Sequence, residues 1–114
     1  MLYKKSLGHY GEQIALNYYQ KLGYQLIVKN YYSRYGEIDL LLTKNDQITV
    51  VEVKTRSAKQ FSWAEESINI KKINNIYKTY QKLAREYKLP EFFNLEALII
   101  ELGYQKATIR RYQI

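Results

Sequence analysis

The chain has 114 residues, with 18 Lys plus Arg against 11 Asp plus Glu and a net charge of +7. That length allows one compact domain spanning residues 1–114, and 46% hydrophobic with 25% charged residues is a globular composition, not a disordered or fibrous one. The absence of cysteine excludes disulfides, thiolate zinc centres and cysteine nucleophiles, and the single histidine, His9, leaves little for histidine-based metal or triad chemistry.

From His9 to Leu22 the pattern predicts a helix, because Gly11, Ile14, Ala15, Tyr18 and Leu22 recur at spacings of three and four. Gly23 supplies its left-handed stop. A strand-like stretch follows from Tyr24 to Tyr32, then a Ser33-Arg34-Tyr35-Gly36 connection. Glu37 to Thr43 forms a second strand, in which Ile38, Leu40 and Leu42 are expected on one face. Lys44-Asn45-Asp46-Gln47 is a hairpin turn, since Asn and Asp tolerate the positive φ of a tight turn. Ile48 to Arg56 then returns as a third, antiparallel strand. A long helix is expected from Ala64 to Lys88, with Ile73, Ile76, Tyr77, Tyr80, Leu83, Ala84 and Tyr87 as its apolar stripe and Pro90 marking its end. Leu95–Glu101 and Gln105–Arg111 read as two more strands.

This order predicts an α/β fold: helix, three strands, helix, two strands, with a central mixed sheet flanked by helices. The third strand, second helix and fourth strand should form one crossover between parallel neighbours. The longest unbroken apolar run, Ala97-Leu98-Ile99-Ile100, is far short of the roughly 20 residues that span a bilayer. No apolar stretch follows the basic start, so the reading is a cytoplasmic chain with no membrane partner.

Three polar features fall where a plain sheet does not need them: Asp39, Glu52 and Lys54. Period-two alternation directs Glu52, Lys54 and Arg56 to one face, apolar at Ile48 and Val50 and charged further on. A two-residue turn at Asn45-Asp46 sets Asp39 opposite Glu52, at a cross-strand separation of about 5 Å. Two carboxylates that close repel by about 4 kcal/mol at an effective dielectric of about 20. A bound cation, a shared proton or the nearby Lys54 must relieve this. A hard ion such as Mg²⁺ suits oxygen ligands in a chain without cysteine. The bland alternative is a charged edge-strand ladder that discourages aggregation. The basic surplus favours a polyanion such as DNA, with ordinary solubility as its own alternative. Aromatic faces among the 13 tyrosines can stack on bases, although most should pack at the core edge with the hydroxyl in water.

Gly36-Glu37-Ile38-Asp39-Leu40 followed by Val51-Glu52-Val53-Lys54-Thr55-Arg56 resembles the signature of the YraN-like proteins. That bacterial family is similar to Holliday-junction resolvases of the restriction-endonuclease-like PD-(D/E)xK superfamily. The resemblance extends to Gly11-Glu12-Gln13-Ile14-Ala15, Gly23-Tyr24, Asn30 and Glu66 through Lys72. It implies a restriction-endonuclease-like core and a Mg²⁺- or Mn²⁺-dependent nuclease acting on DNA, with branched or damaged DNA as candidate substrates. Asp39, Glu52 and the Val53 backbone carbonyl would be metal ligands, Lys54 the catalytic lysine, and Glu12 a further acid reaching the metal directly or through water. Glu12 could equally be a solvated helix residue. Lys72 matches a second-helix lysine of the family; it and Arg56 are the candidate nucleic-acid contacts, with Lys72 as a mere border of the core the competing reading. Lys71, Lys78, Lys82 and Arg85 belong to the solvent face of that helix. Where relatives commonly carry an Arg-Phe-Asp motif entering the fourth strand, this chain has Asn94-Leu95-Glu96, so Glu96 could replace the aspartate. Resolvase relatives work as two-fold dimers, which leaves room for a homodimer. The competing function is a catalytically inactive module that retains the fold and binds nucleic acid or recruits a partner. A weaker one is a two-carboxylate glycoside hydrolase.

Overall fold

Seven elements succeed one another in a computed structural model, which describes residues 2–57 and 69–114. Helix α1 (Leu2–Lys21) leads into strands β1 (Gln25–Ser33), β2 (Gly36–Lys44) and β3 (Gln47–Ser57). Helix α2 (Ile70–Tyr87) and strands β4 (Asn94–Leu102) and β5 (Ala107–Gln113) complete the order. The five strands form one sheet in the order β1-β2-β3-β4-β5. Strands β3 and β4 pair in parallel and every other neighbouring pair is antiparallel. The expected mixed α/β architecture is present, with α2 in the crossover between the parallel pair.

Local chemistry accounts for the element ends. Asn45 and Asp46 both take positive φ, 52° and 63°, the geometry a two-residue hairpin requires, and Lys44 pairs with Gln47. Gly23 ends α1 at φ 96°, while the Tyr24 amide donates back to the Tyr19 carbonyl at 3.0 Å. At α2, Asn69 is extended and its side chain accepts from the Lys72 amide at 2.9 Å, so the helix starts at Ile70. The start expected at Ala64, like Glu66, lies outside the described residues. Lys88 caps the other end in the left-handed region at φ 57°, two residues before Pro90.

Each helix buries a stripe against one face of the sheet. On the α2 side Ile76, Tyr80 and Leu83 pack with Ile38, Leu41, Ile48, Val50, Phe93 and Leu95. On the α1 side Ala15, Leu16 and Tyr19 pack with Leu40, Leu42, Val51, Leu98 and Ile100. Leu22, expected in the first stripe, is exposed, because the helix has already ended; Tyr19 takes the buried position. Tyr77 and Tyr87, expected in the second stripe, are about half exposed, and Thr79 is buried there instead, its hydroxyl 2.8 Å from that of Ser33. Close approach of α1 to β3 depends on Gly11: a Cβ there would overlap the Thr55 hydroxyl and lie 2.7 Å from Thr55 Cβ.

The alternation of β2 breaks at its middle. Ile38 joins the α2-side core, whereas Leu40 and Leu42 join the α1-side core, so the three do not share a face as expected. The cause lies at Asp39. The β1–β2 register runs through Lys29↔Leu40 and resumes at Tyr31↔Ile38, skipping Asn30 and Asp39, and Asn30 takes φ 53°. The β2–β3 ladder ends at Leu40↔Val51. The pairing keeps one register on both sides of this gap, so no residue is inserted there, and the left-handed Asn30 stands opposite Asp39 where the alternation changes.

Candidate active site

The interruption creates the site. The hairpin register carries Asp39 towards Glu52, but the strands part there, and the Asp39 carboxylate Oδ2 accepts from the Val53 amide at 2.8 Å. A side-chain oxygen thus replaces a missing ladder acceptor. An extended residue points its N–H and C=O to the same edge of its strand, so the Val53 carbonyl also faces the gap beside Asp39. The gap opens into a cleft of about 370 Å³ lined by Glu12, Tyr35, Gly36, Glu37, Asp39, Glu52, Val53, Lys54, Lys72, Asn75 and Ile76.

The cleft therefore collects Glu12, Asp39, Glu52, Val53, Lys54 and Lys72, drawn from α1, β2, β3 and α2. Both central carboxylates are buried. Burial raises Asp39 above the usual carboxylate range, and the charge of Glu52 adds to this, against the Val53 hydrogen bond. Burial likewise raises Glu52, while the ammonium of Lys72 opposes it. Glu12 is raised by burial too, partly offset by a hydrogen bond from Asn30. The left-handed Asn30 thus has two consequences: a broken ladder at Asp39 and a partner for Glu12.

Relief of the carboxylate repulsion comes from Lys72 and not from Lys54. Lys72 Nζ lies 3.6 Å from Glu52 Oε2, while Lys54 is exposed at the rim. The other Glu52 oxygen, Oε1, is buried with no hydrogen-bond partner among the described residues. A buried carboxylate oxygen without a partner, beside a second carboxylate and a backbone carbonyl, is a set of hard oxygen donors of the kind a divalent cation takes. Among the described residues no group of three or more His, Asp or Glu is arranged to hold a metal. Mg²⁺ commonly takes only one or two carboxylates and completes its shell with water and phosphate, so two carboxylates are the number such an ion uses.

Two other residues stand apart from the cleft. Arg56 does not join a nucleic-acid face: it is buried, with Nη2 3.3 Å from Glu101 Oε2. Its strand continues past the cleft to pair with β4, where Arg56 stands opposite Glu101, which also binds Arg110 at 2.8 Å. Glu96 does not substitute for an acid in the cleft either. It lies one residue out of phase with Ala97, the partner of Glu52, and so faces α1. There its Oε1 accepts from Tyr19 Oη at 2.8 Å and from Arg111 Nε at 2.7 Å. Arg111 Nη2 reaches Glu96 Oε2 at 3.1 Å and Tyr24 Oη at 3.0 Å.

Sequence reasoning missed Glu37, Tyr35 and Asn75 as cleft residues. Glu37 had a signal, two residues before Asp39 in the same motif. Tyr35 and Asn75 had none, since only packing of α2 on the sheet brings them together.

The sequence also has relatives. The chain is 38% identical over 106 residues to a UPF0102 protein of Syntrophomonas wolfei, covering 90% of this chain and 91% of that one. It is 38% identical over 107 residues to one of Alkaliphilus oremlandii, covering 89% and 92%. A third, from Herpetosiphon aurantiacus, is 30% identical over 115 residues, covering 96% and 93%. Residues 11–105, from the glycine that admits Thr55 to the β4–β5 connection, match the model of the Uncharacterised protein family UPF0102. The family model and the relatives agree over nearly the whole chain, and this protein belongs to the UPF0102 family.

Proposed function

We infer that the protein is a Mg²⁺-dependent DNA endonuclease that hydrolyses phosphodiester bonds in the Asp39–Glu52 cleft. The observation that carries this reading is the buried Glu52 Oε1 beside Asp39, which has no hydrogen-bond partner among the described residues. Burying two carboxylates together is costly, and a chain that keeps both has a use for the charge.

Asp39, Glu52 and the Val53 carbonyl would hold the ion, which when bound supplies Lewis-acid stabilisation of charge on the phosphodiester and acidifies water. The other steps belong to the chain. The Val53 amide fixes the orientation of Asp39. Lys72 pairs with one oxygen of Glu52, while the other, buried, has no hydrogen-bond partner among the described residues. Lys54, exposed at the rim, presents an ammonium where a phosphate oxygen would lie. Glu12, with its raised proton affinity, is suited to take up or return a proton.

Incubation of purified protein with plasmid, single-stranded and four-way-junction DNA, with Mg²⁺ or Mn²⁺, tests the reading. At least one substrate should be cut, and Asp39→Ala and Glu52→Ala should each lose that activity. No cleavage of any substrate, or undiminished cleavage by both variants, overturns it.

The Lys72–Glu52 ion pair favours a second reading. It neutralises one of the two carboxylates without a metal, as expected of a module that retains the fold and binds nucleic acid without cutting it.

A further inference from the structure

The solvent face of α2 is unusually one-signed. Within Ile70–Tyr87 stand Lys71, Lys72, Lys78, Lys82 and Arg85, with Glu86 as the only acid. A helix face built only for solvent commonly interleaves acids with bases at spacings of three and four. Here Lys82 takes Glu86 at 3.8 Å and Lys72 turns to Glu52, leaving Lys71, Lys78 and Arg85 with no carboxylate in ion-pair range among the described residues. Those three are seven residues apart, nearly two turns, so they form a line along the helix about 21 Å long.

The line begins beside the cleft. Lys72 and Asn75, on the first turns of α2, are cleft residues, and so is Tyr35 from the β1–β2 connection. Arg34 and Lys78 converge on that tyrosine. The Arg34 guanidinium carbon is 4.9 Å from the ring centroid and Lys78 Nζ is 5.3 Å from it, while Arg34 Nη2 donates to Tyr35 Oη at 2.7 Å. Arg85 is close enough for its charge also to favour the phenolate of Tyr35. Cations held together without an anion repel one another, an arrangement that an anionic ligand would relieve.

We propose that Arg34 and Lys78, held at Tyr35, together with Lys71 and Arg85 further along the same face of α2, form a phosphate-binding ridge that guides a DNA backbone into the Asp39–Glu52 cleft. Measured along a duplex axis, at about 3.4 Å per base pair, the line spans roughly six base pairs. Tyr35 holds Arg34 and Lys78 at the rim, so the ridge is preorganised where the backbone enters. The proposal takes its partner from the nuclease reading, but it concerns binding and does not require turnover.

The test measures fluorescence anisotropy of a short labelled DNA duplex across a salt series, with chelator present so that no cleavage occurs. The triple variant Arg34→Ala/Lys78→Ala/Arg85→Ala should bind about 10- to 100-fold more weakly, with a salt slope shallower by about two to three. Lys21→Ala/Lys106→Ala removes exposed cations from elsewhere and should change the slope by less than about one. Thermal melts should superimpose for all variants, because the substituted side chains lie on the surface. Equal losses in both variants, or no binding by the parent protein, would overturn the ridge. Binding that depends on the ridge without cleavage by the metal-loaded protein would instead retire the nuclease reading and leave the ridge standing.

Discussion

The Asp39 carboxylate accepts the Val53 amide at 2.8 Å, at the point where the β2–β3 ladder stops. A structural hydrogen bond and a candidate metal ligand therefore reside in one side chain. The bond restrains the carboxylate so that little side-chain entropy remains to be lost when a cation binds. It also keeps Asp39 beside Glu52, where burial and charge both disfavour ionisation.

Asp39→Asn should stabilise the protein at alkaline pH in the presence of chelator. The folded state raises the proton affinity of Asp39, so its contribution is fully present below the ordinary carboxylate range and is lost as pH rises through the raised range. Asparagine can still accept from Val53 and never ionises. Its advantage should be about 1–3 kcal/mol at mildly alkaline pH and should vanish in acid. Urea melts at both extremes check this; an advantage independent of pH would contradict the assignment.

Replacing Lys72 by methionine should tighten Mn²⁺ binding, since the ammonium competes for Glu52. A gain of about three- to tenfold in affinity is expected, read by calorimetry or by metal-induced shift of the melting temperature. Lys54→Met should leave that affinity within about threefold, because the side chain is exposed at the rim, while lowering cleavage by about a hundredfold.

Gly11→Ala should cost about 1–3 kcal/mol through overpacking against β3. Thr55→Ala in the same chain should recover only part of it: the hydroxyl and methyl are gone, but the remaining Cβ is still 2.7 Å from the new one. A double-mutant cycle in urea measures the coupling.

Tyr19→Phe should cost about 1 kcal/mol, since Glu96 keeps Arg111 as a partner. Arg111→Met should cost about 1–3 kcal/mol, less than a fully buried pair because the arginine side chain is 34% exposed. Neither change should alter DNA cleavage or Mn²⁺ affinity, because this cluster faces α1 and lies outside the cleft.

Local rules made much of the fold legible. Asn45-Asp46 could be read as a tight turn because few residues tolerate positive φ, and the turn in its turn determined the pairing of β2 with β3 down to Leu40↔Val51. Gly23, Pro90 and the apolar periodicities located the C-terminal ends of both helices to within a residue. The starts differ: α1 begins at Leu2, seven residues before the expected His9, and α2 begins at Ile70 behind its Asn69 cap. The convergence of Asp39 and Glu52 was legible for the same reason, since strand period and turn length together determine which side chains meet.

Other features depended on contacts between residues far apart in the chain. Period-two alternation placed Ile38 with Leu40, but the alternation changes at Asp39, opposite the left-handed Asn30, and Ile38 joins the other core. Arg56 shares the strand face of Glu52, yet β4 brings Glu101 against it and buries it. Glu96 is an acid near the motif, but parallel pairing directs it to the opposite face, where Arg111 meets it. The sequence by itself determined which carboxylates come together and in what order the elements run, because torsional preference and periodicity act over a few residues. Only the tertiary structure decided that Lys72, not Lys54, pairs with Glu52 and that one Glu52 oxygen has no partner among the described residues. Those outcomes depend on how α2 packs across the sheet, and no local pattern encodes that distance.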